Sequence, residues 1–189
     1  MDSFRAFFGI KIEHQAQEKL AQLIEELKHC SPHSSIRWTA KENLHITLQF
    51  VQQMQIRDTF ALAQTLALEL HSEPFPVEFG DFIYFPKRSQ PRVISLKVEP
   101  NDKLAALAEI IGKVLAQFGY PVETRSYNAH ATLGRVRNSG WNIEFFEQFN
   151  LQPMAAMEVK EIILFESVSG KEGLRYVPLM KWPIEGQQF

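Results

Sequence analysis

Two copies of the tetrapeptide His-x-Thr-Leu restrict the fold of this chain more than any other feature. They read "HITL" from position 45 and "HATL" from position 130, so the two histidines lie 85 positions apart. Polar and apolar side chains alternate through both stretches, which is typical of a strand with one buried face. One match to so short a motif is a weak signal, but two matches in similar surroundings are rare by chance. The repeat therefore predicts two related strands.

Side-chain direction predicts which motif residues act together. Successive side chains of a strand point to opposite faces of the sheet. His45 and Thr47 therefore share one face, and the same holds for His130 and Thr132. If a twofold axis relates the two strands, both pairs face one groove.

The remaining elements read as strand, helix, histidine strand, helix and strand, and this order recurs with one extra strand. Strands are predicted over residues 4–13, 43–51, 75–85 (with a kink near Gly80), 92–99, 128–136, 157–168 and 174–180. Helices are predicted over residues 15–28, 56–70, 102–118 and 142–149. The recurrence predicts an internal duplication with pseudo-twofold symmetry, in a single bilobal domain over 1–189 with halves of roughly 1–90 and 91–189.

Composition places the chain among ordinary globular proteins, with 189 residues, 45% of them hydrophobic and 22% charged. Cys30 is the single cysteine, which excludes an internal disulfide and a multi-cysteine metal site. No apolar run reaches the length of a membrane span, and the charged N-terminus is unlike a signal peptide. We therefore expect a cytoplasmic protein with no membrane partner.

The charge is unevenly distributed over a chain with a net charge of −2. Residues 84–97 contain four basic and no acidic side chains, and residues 125–138 contain three basic and no acidic side chains. Locally positive segments on a weakly acidic protein predict a focused anion site and not a general nucleic-acid coat. These basic residues are Lys87, Arg88, Arg92, Lys97, Arg125, Arg135 and Arg137.

Two imidazoles beside two hydroxyls suit displacement at a phosphodiester. A neutral imidazole can take a proton from water while an imidazolium gives one to the departing oxygen, since the ordinary histidine pKa lies near 6.5. The hydroxyls can donate hydrogen bonds to phosphate oxygens, and an arginine can stabilise their charge. Arg135 has the wrong strand parity to join His130, but a bulge at Gly134 would turn it to the same face.

A metal site is not expected. Two histidines do not fill a zinc shell, and neither motif contains an aspartate or a glutamate. No cofactor is expected either.

Several stretches resemble a known family. "ENLHITLQF" and "NAHATLGRVR" resemble the paired motifs of the 2H phosphoesterases, and above all those of the bacterial and archaeal RNA 2′,3′-cyclic phosphodiesterases, first described as 2′-5′ RNA ligases. "FRAFFGIKI", "FPKRSQPRVISLKV" and "EIILFESVSGKEGLRYVPLMKWPI" resemble the opening strand, the central basic stretch and the closing hairpin of that family. The resemblance implies an α+β fold of two antiparallel sheets with flanking helices around a central cleft.

The resemblance also implies a reaction and roles for individual residues. The reaction hydrolyses a terminal 2′,3′-cyclic phosphate of RNA to a 2′-phosphomonoester without a metal. His45 corresponds to the proton donor and His130 to the proton acceptor. Phosphate-binding roles fall to Thr47, Thr132 and Arg135, and we add Phe8, Arg88, Arg92 and Tyr127 as candidates for RNA binding.

Two other functions fit the same residues. One is a 2′-5′ oligonucleotide phosphodiesterase or ligase, and the other is a module that binds RNA ends without turnover. Two titratable imidazoles argue against simple binding, because arginine binds phosphate better.

Overall fold

The computed structural model describes residues 2–30, 36–137, 146, 148–171 and 173–185. Within these residues the fold is α+β, with three α-helices and nine strands. The helices are α1 (His14–Cys30), α2 (Thr59–Glu69) and α3 (Asn101–Gln117). The strands are β1 (Ser3–Lys11), β2 (Ile36–Trp38), β3 (His45–Gln55), β4 (Phe75–Phe85), β5 (Val93–Glu99), β6 (His130–Val136), β7 (Met157–Val159), β8 (Glu161–Gly170) and β9 (Gly173–Pro183).

The strands form one antiparallel sheet in the order β7-β4-β5-β6-β3-β1-β8-β9, with β2 added beside β6. The expectation of two separate sheets is therefore wrong, because the pair Ile46–Ala131 joins β3 to β6 and makes the sheet continuous. The sheet is curled: Lys160 is the single residue between β7 at one edge and β8 near the other.

The two sides of the sheet have similar strand orders when counted outwards from the central pair, β3 and β6. β6 is followed by β5 and then β4, while β3 is followed by β1 and then β8. Each arm therefore combines strands from both halves of the chain. This arrangement fits the predicted duplication, which stays a prediction.

The helices bury apolar side chains against one face of this sheet. In α1 the buried residues Leu20, Leu23, Ile24 and Leu27 repeat at helical spacing, and α3 buries Leu104 and Ile111 among others. Fully burying one such side chain stabilises the fold by roughly 1.5–3 kcal/mol. The core forms on this face, so the other face of the central strands is left for polar side chains.

Most predicted elements are confirmed, and the differences are local. The predicted strand over 157–168 is split at Lys160, because β7 pairs with β4 while β8 pairs with β1. β2 was missed, and the first turn of the helix expected from Ile56 is a 3-10 turn over Ile56–Asp58. The helix predicted over 142–149 lies largely outside the described residues. No helix in the described part of the chain is both long and apolar enough to cross a membrane.

Candidate active site

The two motif strands meet at the centre of the sheet. Ile46 pairs with Ala131, and both side chains are fully buried in the core. The flanking motif residues therefore point to the opposite face, where His45, Thr47, His130 and Thr132 are all half-buried. Residues in diagonal positions of a regular antiparallel pair lie roughly 7–8 Å apart. The structure thus brings both histidines and both threonines to one surface.

Each imidazole is held by the backbone carbonyl two residues before it. His45 Nδ1 lies 2.7 Å from the Asn43 carbonyl oxygen, and His130 Nδ1 lies 2.7 Å from that of Asn128. A carbonyl can only accept, so Nδ1 donates its hydrogen in both rings. The proton that can be gained or lost is therefore the one on Nε2 in each histidine.

The segments that carry these carbonyls are themselves anchored. The Asn43 amide donates to the Leu174 carbonyl oxygen at 2.7 Å, which links the first motif to β9. The Asn101 side chain accepts from the Ala129 N–H at 2.7 Å and donates to the Tyr127 carbonyl oxygen at 3.3 Å. Asn101 therefore brackets the residue whose carbonyl orients His130.

Thr47 places a hydroxyl at the reactive nitrogen of His45. Thr47 Oγ1 lies 2.9 Å from His45 Nε2, and Tyr127 Oη donates to the Thr47 carbonyl oxygen at 2.8 Å. A phosphate group with one oxygen bound by this hydroxyl would lie beside Nε2, with its ester oxygens near that nitrogen. Such a position is what proton transfer to a leaving oxygen requires.

Aromatic rings enclose His45. The Phe7 ring lies 4.6 Å from the imidazole, and Tyr176 meets it edge-on at 4.8 Å. Gly9 makes the first contact possible, because a Cβ there would lie 2.7 Å from the Ile46 carbonyl oxygen and 3.3 Å from the Phe7 ring. The Phe7 ring therefore lies over the backbone of Gly9, where no side chain blocks its contact with His45.

The two histidines differ in how deeply they are enclosed. Burial lowers the pKa of His45 to about 4, with the positive charges of His130 and Arg135 adding to the effect. Burial also lowers the pKa of His130, whose ring lies 4.7 Å from that of Phe85, and the charge of Arg135 lowers it further. Both imidazoles are therefore neutral near pH 7.

A bulge turns Arg135 toward the histidines. Thr132 pairs with Ser95 while Gly134 pairs with Ile94, so β6 contains one extra residue at this point. Gly134 suits the bulge, because a Cβ there would lie 2.7 Å from the Ile36 side chain. Arg135 is exposed, and its charge acts on both imidazoles.

The two predicted RNA-binding aromatics differ in burial, and only Phe8 is excluded from the cleft. Phe8 is fully buried on the core face of β1 and packs against Trp182, with ring centroids 5.7 Å apart. Its neighbour Phe7 faces the histidines instead, because strand side chains alternate. Tyr127 is half-buried against the core, and its hydroxyl is engaged by the Thr47 carbonyl oxygen. Tyr127 therefore holds the backbone of a motif residue, and its role in RNA binding stays a prediction.

The predicted basic residues separate into groups. Arg135 lies in the site, whereas Arg125 is exposed and neutralised by Glu123 at 2.6 Å. Arg88 and Arg92 are exposed in and after the loop between β4 and β5, and neither charge is among those that act on the histidines. Their role in RNA binding stays a prediction.

Sequence reasoning missed four residues of the site, and it also missed the two asparagine carbonyls that hold the imidazoles. These residues are Phe7, Arg37, Asn101 and Tyr176. Only the asparagines had a signal in the sequence, since both motifs read Asn-x-His and the carbonyl of each asparagine holds a ring. The partners of those segments come from distant positions and left no local pattern. Among the described residues, no three His, Cys, Asp or Glu side chains are grouped to hold a metal.

Comparison with known proteins gives a consistent set of relatives. A family model described as the 2′-5′ RNA ligase superfamily matches residues 16–171. The chain is 29% identical over 181 residues to an RNA 2′,3′-cyclic phosphodiesterase of Methanocaldococcus jannaschii, covering 94% of this chain and 99% of that one. It is 26% identical over 176 residues to an RNA 2′,3′-cyclic phosphodiesterase of Archaeoglobus fulgidus, covering 93% of this chain and 97% of that one.

The fold has a close counterpart among solved structures. The structure of E. coli LigT complexed with 3′-AMP superposes with a TM-score of 0.77 at 26% identity, covering 96% of this chain and 98% of that one. Similarity over nearly the full length of both chains means that the overall fold is shared.

Proposed function

Because the chain belongs to the 2′-5′ RNA ligase superfamily, the 2H phosphoesterases, we propose that it is an RNA 2′,3′-cyclic phosphodiesterase acting by two-histidine acid-base catalysis. The reaction would convert a terminal 2′,3′-cyclic phosphate to a 2′-phosphomonoester. One observation carries the proposal: two imidazoles on one face, each with Nδ1 held by a carbonyl. This leaves two Nε2 atoms to exchange protons across one phosphorus.

The chemical step needs a base and an acid on opposite sides of the phosphorus. Following the resemblance, His130 Nε2 takes a proton from water as the water oxygen bonds to phosphorus. The bond from phosphorus to O3′ breaks, and O3′ takes a proton from His45 Nε2. The phosphate stays on O2′, and the two histidines end with their charges exchanged.

The polar side chains of the site fit the remaining charge. The hydroxyls of Thr47 and Thr132 would donate to the two non-bridging phosphate oxygens, and Arg135 would stabilise the charge that grows on them. Preorganised donors of this kind typically account for factors of about 10²–10³ each in rate. All three side chains lie on the face that carries the histidines.

The burial of His45 sets a condition on its role as donor. With a pKa of about 4, His45 is neutral at neutral pH and has no proton to give from Nε2. A bound phosphate anion would favour the imidazolium and raise that pKa. Binding of the substrate would therefore favour the protonated form of His45 that a proton donor requires.

The direct test is the fate of an oligoribonucleotide that ends in a 2′,3′-cyclic phosphate, followed by phosphorus NMR. We expect loss of the cyclic phosphate signal and growth of a 2′-phosphomonoester signal. A 3′-phosphomonoester, or binding without any product, would contradict the proposal. Cleavage of a 2′-5′ dinucleotide with no action on the cyclic end would favour the 2′-5′ phosphodiesterase function.

A further inference from the structure

Arg37 lies directly opposite Arg135 where β2 joins β6. Opposite residues of an antiparallel pair project to the same face, with Cβ atoms roughly 4.5–5.5 Å apart. The flanking residues Ile36 and Trp38 pack against the core, so Arg37 projects to the cleft face with Arg135. The strand β2, which sequence reasoning missed, thus adds a second guanidinium to the face that carries the histidines.

This arginine pair carries uncompensated charge. Like charges directly opposite on neighbouring strands destabilise a sheet. Within the described residues, carboxylates form salt bridges with Arg57 and Arg125 but not with Arg37 or Arg135. Two adjacent guanidinium groups without a carboxylate are suited to binding an anion.

The Arg37 side chain also lies near β9, and its charge acts on Tyr176 of that strand. Its Nη2 lies 3.7 Å from the position that a Cβ on Gly173 would occupy. Burial raises the pKa of Tyr176, and the charges of Arg135, Arg37 and Arg5 oppose that rise. Tyr176 packs edge-on against His45, so the charge of Arg37 acts on a ring that contacts the reacting imidazole.

The three arginines around Tyr176 have different neighbours. Arg135 acts on both imidazoles and is therefore placed for the phosphate under attack. Arg5 lies over the Phe50 ring, 5.6 Å from its centroid. Arg37 has no comparable engagement among the described residues. A terminal cyclic phosphate carries one negative charge, so one arginine suffices for it and Arg37 is in excess.

We propose that Arg37 binds the phosphodiester that joins the terminal nucleotide of the substrate to the preceding nucleotide. This inference rests on the proposed function and deepens it. The cleft would then prefer RNA chains over mononucleotide 2′,3′-cyclic phosphates, because a mononucleotide has no second phosphate for Arg37.

The test compares kcat/KM for two substrates, adenosine 2′,3′-cyclic phosphate and an adenosine trinucleotide with a 2′,3′-cyclic end. In Arg37→Gln we expect kcat/KM for the trinucleotide to fall by roughly 10-fold to 100-fold, the usual range for losing a hydrogen bond to a charged group. The mononucleotide should change by less than about twofold, since it lacks that group. The salt dependence of the trinucleotide KM should also flatten.

Two further variants sharpen the comparison. Arg37→Lys keeps the charge but loses the fork of donors, so it should lie between wild type and Arg37→Gln on the trinucleotide. Arg175→Gln removes the same charge from the residue beside Tyr176 on the opposite face of β9, and both substrates should be turned over as in wild type. Thermal melts of all variants check that the fold is retained.

The outcomes separate the two proposals. Equal losses on both substrates, or no loss on either, would overturn the role of Arg37 while leaving the proposed function intact. A wild-type protein that turns over neither substrate would reject the proposed function, and the inference with it.

Discussion

Ile46 and Ala131 lie opposite each other in the register pair that joins β3 to β6. Each is the middle residue of a His-x-Thr motif, so this one pair places His45 across from Thr132 and Thr47 across from His130. Both middle side chains are fully buried, which fixes the motif side chains on the other face. Backbone pairing in the centre of a sheet, and not a loop, therefore sets the spacing of the two imidazoles.

Asn101 should affect catalysis through His130 without touching the substrate. In Asn101→Ala the Ala129 N–H loses its acceptor, which should lower the free energy of unfolding by about 1–3 kcal/mol. The Asn128 carbonyl would then hold the ring less firmly, so kcat should fall more than KM changes and the pH profile of kcat should shift. Denaturant unfolding and steady-state kinetics measure these effects.

Two variants control for a general loss of stability. Asn128→Ala removes an exposed side chain and keeps the carbonyl that orients His130, so its kinetics should match wild type. Asn101→Asp keeps the acceptor for the Ala129 N–H and should recover part of the activity. A folded Asn101→Ala protein with wild-type kcat and pH profile would show that the two Asn101 hydrogen bonds have only a structural role.

Catalysis should require the guanidinium group of Arg135 and not merely a positive charge at that position. Arg135→Gln should lower kcat/KM by about 10²–10³-fold, because the charge that develops on the phosphate oxygens loses its partner. Arg135→Lys should recover little of this, since a lysine cannot donate in a fork. Arg125→Gln is the matched control, because that guanidinium is exposed and paired with Glu123. Equal activity of Arg135→Gln and Arg125→Gln would remove Arg135 from the site.

The sequence predicted the elements and faces that depend on neighbouring residues. The strand over Phe75–Phe85 has the predicted bounds, and its register is broken near Gly80 as expected. The two His-x-Thr pairs share a face because alternation along a strand is a local rule. The bulge that turns Arg135 was predicted from parity alone and is confirmed by the register around Gly134.

The remaining features depend on distant pairings that leave no local pattern. Phe7 and Phe8 are adjacent aromatics, so one must face the core and the other the cleft, and the sequence alone does not decide which. The three residues of β2 are too few to show a period, which hid the place of Arg37. The break at Lys160 is set by the partners of β7 and β8 in the curled sheet.

The pH dependence should differ between the free enzyme and its complex. Burial lowers the pKa of both histidines, that of His45 to about 4. The profile of kcat/KM, which reports the free enzyme, should therefore be a bell with limbs on the acid side of the ordinary histidine pKa. The profile of kcat should lie at higher pH, because the bound phosphate anion favours both imidazolium forms. If the two profiles coincide, or if the kcat profile lies at lower pH than that of kcat/KM, the electrostatic explanation is wrong.

Removal of divalent metal ions should leave turnover unchanged. In the proposed mechanism an imidazole carries out each proton transfer, and the described residues contain no cluster of three metal-binding side chains. Initial rates on cyclic-phosphate-ended RNA should be equal with and without EDTA. A rate that vanishes in EDTA and returns with added magnesium, manganese or zinc would refute the two-histidine mechanism.

The central claim is that His45 and His130 carry out the chemistry as a pair. The most direct measurement is the single-turnover rate on cyclic-phosphate-ended RNA for His45→Ala, His130→Ala and the double variant, with thermal melts beside each. Each single change should lower the rate at least about 10²-fold in a folded protein, since general acid or base catalysis contributes about 10²–10⁴-fold. The double variant should lose less than the product of the single losses, because the two groups act as a unit. A folded double variant with wild-type turnover would contradict the account.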